Sequence, residues 1–268
     1  MTKDGIIDLW KKMGWTNAEE YHVHLFEEKE ILDEYIENTL SPDKINVKEF
    51  WRAADEVFLT DTVANSSNNL GNTFSQKEAN FHNHLIPLFL GMYGGMEFAI
   101  FNVKQKFKRT AIAEIGCGYG SFEEHFINVR QDIQAYIGFD VVARTPNAVE
   151  VESMDGTFSQ EQIDKYKDSF NIFYSCNVFQ HLSENQITKY LTQIHHMLPY
   201  GGYFVFSYVS KPEKGYTYHY GQKIQIMDTE YLTNKIKELG FSIWFNYSQH
   251  TESNPCGLCP IGFALQKY

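Results

Sequence analysis

Two acidic side chains and three glycines carry the strongest chemical signal in this chain of 268 residues. The glycines lie in Glu114-Ile115-Gly116-Cys117-Gly118-Tyr119-Gly120, between a short apolar run, Ala111–Ile115, and a stretch from Phe122 to Val129 that reads as a helix. Lacking a Cβ, glycine lets a backbone turn sharply and approach a ligand closely, and a helix start offers free amides to an anionic group. Such a loop suits a nucleotide-bearing cofactor, although GxG alone also serves ordinary strand-to-helix turns. The acids narrow the choice. Glu114 precedes the first glycine by two residues, where a carboxylate attracts a cationic group and repels a pyrophosphate. Asp140 closes the next apolar run, Tyr136-Ile137-Gly138-Phe139-Asp140. It follows the loop by about twenty residues, and an acceptor-only side chain at that place suits a ribose diol.

The dinucleotide fingerprint wants its third small residue one place later than Gly120, a place that Ser121 could also fill. The GxGxG spacing together with Glu114 favours S-adenosylmethionine, whose methionine end is positively charged, over NAD. Glu114 to Gly120 resembles motif I of the class I S-adenosylmethionine-dependent methyltransferases, and the resemblance covers roughly Arg109 to Tyr268. It implies an α/β fold with a Rossmann-like core, a mostly parallel seven-stranded sheet flanked by helices. It also implies that Glu114, Gly116, Cys117, Gly118 and Gly120 hold the cofactor, that Asp140 takes the ribose hydroxyls, and that Met154 and Asp155 lie at the adenine. Cys176-Asn177-Val178-Phe179-Gln180-His181-Leu182 is similar to the family's segment lining the methyl-transfer site, which adds Asn177 and Val178 to the cofactor set. Leu198-Pro199-Tyr200-Gly201-Gly202-Tyr203-Phe204-Val205-Phe206 looks like the family's helix, turn and fifth strand.

These groups need a scaffold to bring them together, and the pattern from Arg109 onward supplies one. Short apolar runs at Ala111–Ile115, Ala135–Phe139, Ala148–Val151, Ile172–Cys176, Tyr203–Tyr208, Ser242–Phe245 and Gly262–Gln266 read as strands. Helical spacing joins Ile187, Leu191, Ile194 and Leu198 after a Ser183/Gln186 capping pair, and Leu232, Ile236 and Leu239 before Gly240. Strands alternating with helices argue for a parallel sheet. Up to Lys108 the chain reads as helices, with capping pairs at Asn17/Glu20 and Ser75/Glu78 and a turn-rich break from Asn65 to Asn72. The expected division is therefore a helical extension over residues 1–108 that contributes to the acceptor pocket, and a cofactor-binding methyltransferase domain over 109–268.

The methyl acceptor has to be inferred from weaker signals. His181 is the candidate general base, because imidazole titrates in the useful range and an alcohol must lose its proton as the new bond forms. The alternative is a histidine that packs or hydrogen-bonds at the start of the next helix. Tyr216, Tyr218, His219, Tyr220 and Gln222 make an aromatic and polar run that could wall an acceptor, or form a tyrosine-rich hairpin. His82 and Tyr93 are the candidates from the N-terminal half. His82 and His84, two apart, would diverge on a helix, so no shared metal is expected. Glycines at 91, 94 and 95 suggest a bend or a close backbone approach to the cofactor there, with a purely structural cluster as the alternative.

Composition bounds the rest. A net charge of −11 disfavours nucleic acid as partner or substrate, since such binding relies on basic residues neutralising phosphates. No apolar run approaches the ~20 residues of a membrane span, and no apolar leader opens the chain, so a cytoplasmic protein with a small-molecule acceptor is expected. Cys256 and Cys259 form a lone CxxC, with no second pair to complete a zinc site. The preferred acceptor is a hydroxyl of a sugar or of a phosphorylated metabolite in bacterial surface-glycan biosynthesis. Amine and carboxylate acceptors, a nicotinamide-dependent oxidoreductase and a non-catalytic nucleotide-binding module stand as alternatives.

Overall fold

The computed structural model describes residues 47–54, 92–120, 122–176, 178–210, 215–219, 222–226, 228–248 and 259–268. The expected capping pairs at Asn17/Glu20 and Ser75/Glu78, the break at 65–72, His82 and Cys256 lie outside them.

Seven strands form one sheet: β1 (Ala111–Ile115), β2 (Ala135–Asp140), β3 (Ala148–Glu150), β4 (Ile172–Ser175), β5 (Tyr203–Ser210), β8 (Phe241–Ser248) and β9 (Cys259–Lys267). Their order is β3-β2-β1-β4-β5-β9-β8. The first five are parallel, and β9 runs antiparallel between β5 and β8. This is the Rossmann-like, mostly parallel sheet of seven strands that the resemblance implies, and its parallel part is what the strand pattern predicts. Strands β8 and β9 run longer than the apolar stretches at Ser242–Phe245 and Gly262–Gln266, because antiparallel pairing from Phe241↔Lys267 to Ser248↔Ile261 carries polar residues into the ladder. Cys259 and Pro260 open β9 opposite Ser210 and Val209.

The sheet buries both faces, and strand alternation sorts its residues between them. On one side Ala111, Ala113, Ile115, Phe204 and Phe206 meet α4 (Glu184–Met197) and α5 (Thr229–Glu238) through Leu191, Ile194, Leu232 and Ile236. On the other, Ile112, Tyr174, Tyr203 and Val205 meet a helix formed by residues 92–106, here α2, through Met92, Met96, Ala99, Ile100 and Val103. Helix α2 runs without a break through Gly94 and Gly95. Its apolar stripe, packed on the sheet, outweighs the poor helix propensity of the two glycines. Two further helices are described: α1 (Val47–Ala54) and α3 (Gln160–Tyr166).

Helix starts follow side-chain capping. Ser183 and Gln186 close the expected box on α4, Ser159 and Gln162 close another on α3, and Asp228 accepts from Glu230 and Tyr231 at α5. The helix expected after the glycine loop forms with wide winding over Glu123–Ile127, a π-type turn in which the Asn128 amide reaches back to the Glu123 carbonyl. Phe122 and Phe126 stack on each other and Phe122 stacks on Tyr174, so three aromatic rings set the geometry of this turn. A two-stranded hairpin, β6 (Gly215–His219) with β7 (Gln222–Ile226), stands apart from the main sheet.

Candidate active site

The glycine loop leaves β1 at the carboxyl end of the sheet, and its path is set by left-handed backbone at its glycines and by a close contact at Gly116. Gly116, Gly118 and Gly120 all have positive φ, at 71°, 53° and 81°. A Cβ on Gly116 would lie 2.1 Å from Cγ2 of Val178, at the end of β4. Within β2, a Cβ on Gly138 would lie 2.6 Å from Sγ of Cys117. Gly116 and Cys117 both donate their amides to the Phe139 carbonyl, which ties the loop to β2. Gly118 and Gly120 thus supply conformation, whereas Gly116 and Gly138 supply space.

Two carboxylates flank this loop. Asp140, at the end of β2, accepts from the Gly118 amide at 2.8 Å through one oxygen, and from the Val142 amide and the Arg144 guanidinium, both at 3.2 Å, through the other. Arg144 also lies over the Tyr119 ring, 5.1 Å from its centroid. Glu114 is buried in β1, where the Tyr136 hydroxyl donates to it at 2.5 Å. Register explains the pair. Glu114 lies opposite Gly138, two residues beyond Tyr136 on the same face of β2, so the missing glycine side chain clears the way for the phenol. Burial raises the Glu114 carboxyl from an ordinary 4.5 to about 8; the Tyr136 hydrogen bond opposes the rise, and Asp140 and Glu123 add to it. The Tyr136 hydroxyl is itself held well above its usual range by burial and by Glu114. Cys117 and Cys176, both free thiols, are pushed up to about 12 and about 11, chiefly by burial. Neither is poised as a thiolate nucleophile.

Glu114, Gly116, Cys117, Gly118, Gly120, Asp140 and Val178 are therefore brought together, and Tyr93 approaches them from α2. Tyr93 stacks on Phe126 with ring centroids 5.3 Å apart, and its phenol is raised by burial and by nearby Cys176 and Glu114. Met154 and Asp155 sit on the turn after β3. Met154 is exposed, and Asp155 accepts from Ser153, from the amide and hydroxyl of Thr157, and from Lys189. Burial opposes ionisation of Asp155, but its hydrogen bonds from Lys189, Thr157 and Ser153 prevail and hold it at about 2. Asn177 lies outside the described residues.

His181 ends a short 3-10 turn, Phe179–His181, just beyond Val178. Phe179 is wholly buried among Tyr190, Phe204 and Phe206, so it anchors the turn and does not face a ligand. Strand β7 packs beside this turn, which brings the backbone of the β6–β7 hairpin to the His181 side of the sheet. Tyr216, Tyr218, His219 and Gln222 occupy that hairpin, with His219 paired to Gln222, while Tyr220 lies outside the described residues. Trp51 of α1 meets the His181 imidazole edge-on at 5.6 Å.

Tyr136, Gly138, Arg144 and Trp51 escaped the sequence reading. A glycine inside a strand signals a close approach, so Gly138 was open to discovery from its position alone. Tyr136 and Trp51 act through contacts between distant segments and carry no comparable mark, whereas Arg144 reaches Asp140 from only four residues away. Asp140, an acceptor-only carboxylate, and Glu114, a buried acid that a cationic ligand would ionise, lie beside a loop without side chains, and together they suit a cofactor bearing a cation and a diol. Among the described residues, no group of three histidine, cysteine, aspartate or glutamate side chains is placed to hold a metal, and no helix is long and apolar enough to cross a membrane.

A family model described as a methyltransferase domain matches residues 98–245. No curated protein matches the chain. Among solved structures, the chain is similar to 1,6-didemethyltoxoflavin-N1-methyltransferase from Burkholderia thailandensis, at 14% identity and TM-score 0.48, over 78% of this chain and 86% of that one. It is also similar to an S-adenosylmethionine-dependent methyltransferase from Clostridium acetobutylicum, at 11% identity and TM-score 0.48, over 71% and 98%. A third, from Mesorhizobium loti, has 16% identity and TM-score 0.42, over 59% and 91%.

Proposed function

Because the chain belongs to the methyltransferase-domain family and is an S-adenosylmethionine-dependent methyltransferase, we propose that it methylates a small polar acceptor at the mouth formed by the glycine loop and the His181 turn. The observation that carries this reading is the pair of carboxylates, Glu114 and Asp140, on either side of a loop that Gly116 and Gly138 allow to lie flat against β2 and β4.

When bound, S-adenosylmethionine supplies a methyl group on a positively charged sulfur, which leaves with the electron pair of its broken bond as the acceptor's lone pair takes the carbon. The chain's task is then alignment, exclusion of water and proton removal. Glu114 would receive the cofactor's ammonium group and Asp140 its ribose hydroxyls. Asp140 retains acceptor capacity on the oxygen that takes only the Gly118 amide, while Arg144 holds the other. Cys117, Val178 and the backbone of Gly118 and Gly120 would line the cofactor, and Met154 and Asp155 the adenine edge. His181 would take the acceptor's proton, and Tyr93 with the β6–β7 hairpin would bound the acceptor.

The preferred acceptor is a hydroxyl of a sugar or phosphorylated metabolite, as in bacterial surface-glycan biosynthesis, with an amine or carboxylate as the second choice. Residues 1–108 are proposed to contribute to this pocket, and α1 supports that assignment through its contact with His181. Calorimetric titration with S-adenosylmethionine, S-adenosylhomocysteine and NAD, followed by labelled-methyl transfer into a small-metabolite extract, tests the whole reading. Binding of the first two with transfer of label is expected. Binding of NAD alone, or cofactor binding without transfer, would overturn it.

A further inference from the structure

Helix α1 reaches the site through two adjacent stripes of side chains four residues apart, the spacing that places helical neighbours on one face. Lys48 and Arg52 both approach Glu150 at the end of β3, at 4.0 and 3.4 Å, and Glu150 pairs in register with Asp140. Val47 and Trp51 form the second stripe. Val47 lies beside Val141 and so close to Gly156 that a Cβ there would be 3.1 Å from its Cγ1. Trp51 meets the His181 ring at 5.6 Å with the planes 84° apart. One short helix thus touches the ends of β2, β3 and the turn after β4, which are the edges that surround the proposed site.

The imidazole sits at the end of a three-residue turn whose buried anchor is Phe179, so its orientation depends on what flanks it. We propose that Trp51 is a positioning residue for methyl transfer, its indole fixing the plane of the His181 imidazole toward the acceptor and walling the acceptor subsite on the α1 side. This rests on the methyltransferase reading of the His181 segment and adds to it a residue from a remote part of the chain. A neutral aromatic neighbour restrains the ring by packing and offers no proton of its own at the carbon faces. The nearby charges, Lys48 and Arg52, are engaged by Glu150.

The test uses the full chain with Trp51→Ala and Trp51→Phe. Affinity for S-adenosylhomocysteine is measured by calorimetry, and labelled-methyl transfer from saturating S-adenosylmethionine is followed over a dilution series of the small-metabolite extract. Trp51→Ala should bind S-adenosylhomocysteine within about threefold of the natural chain, while its maximal transfer rate falls roughly 10–100-fold, the scale expected from misplacing a reacting group. Trp51→Phe should restore the rate to within a few-fold, because an aromatic wall remains. The His181 Cε1 proton resonance should shift in Trp51→Ala, as it loses the indole ring current. An unchanged rate in Trp51→Ala overturns the proposal. So does a joint loss of S-adenosylhomocysteine binding in both variants, which would make Trp51 part of the cofactor wall. If the natural chain transfers no methyl group, the methyltransferase reading itself fails, and the role of Trp51 falls with it.

Discussion

Replacing Glu114 by Gln should remove a pH dependence that the fold imposes on this one carboxyl. Burial lifts it from 4.5 to about 8, so the unfolded chain gives up this proton far more readily than the folded one. For a carboxyl raised on folding, its contribution to stability is greatest below pH 4.5. It then declines by about 1.4 kcal/mol per pH unit as pH rises toward 8, and levels off above that. Glutamine keeps an oxygen for the Tyr136 hydroxyl and carries no proton to lose. The stability gap between Glu114→Gln and the natural chain should therefore widen by about 3 kcal/mol between pH 5 and pH 8. In thermal melts this amounts to on the order of 10 °C for a chain of this size. Urea unfolding without cofactor at half-unit pH steps measures it. The cofactor should invert the ranking, because a bound ammonium group draws Glu114 into its ionised form. Binding at pH 7 should then release close to one proton from the natural chain, read from calorimetry in buffers of different ionisation enthalpy, and none from the variant. Parallel stability curves for the two chains would refute the buried-acid reasoning, and equal proton release would remove Glu114 from the cofactor site.

The remaining predictions concern space, ribose and proton transfer. Gly116→Ala should lower stability by about 2–4 kcal/mol, from overpacking against Val178 and from a left-handed φ, with partial recovery on adding Val178→Ala; denaturant curves that overlay the natural chain would contradict the contact. Asp140→Ala should weaken S-adenosylmethionine binding by roughly 1–3 kcal/mol, the scale for losing charge-assisted hydrogen bonds to a diol, and unchanged calorimetric affinity in a folded variant counts against its ribose role. His181→Asn should keep S-adenosylhomocysteine affinity while transfer slows by on the order of 10²–10⁴. A rate within a few-fold of the natural chain would leave His181 structural and favour an acceptor that needs no base.

Local pattern alone located most of the fold. Apolar runs gave β1, β2 and β4 with ends that differ by no more than a residue, and Ser183/Gln186 marked the start of α4. These features depend on neighbours along the chain, where alternation and capping act directly. Gly116, Gly118, Gly120, Glu114 and Asp140 were legible for the same reason, since a loop between a strand and a helix is a local object. The length of β9, the wide winding of the helix after Phe122 and the continuity of α2 through two glycines were not. Each is settled by pairing or packing with segments tens of residues away, which override local preference. The same holds at the site. Sequence could name Glu114 as an acid, but only the register that sets it across from Gly138 and within reach of Tyr136 decides that it is buried and holds its proton to about pH 8. It could name His181 as a base, but only the placement of α1 against the strand ends puts Trp51 against it. Composition and periodicity fix what a residue can do and which element carries it; burial and long-range contact fix its charge state and its orientation.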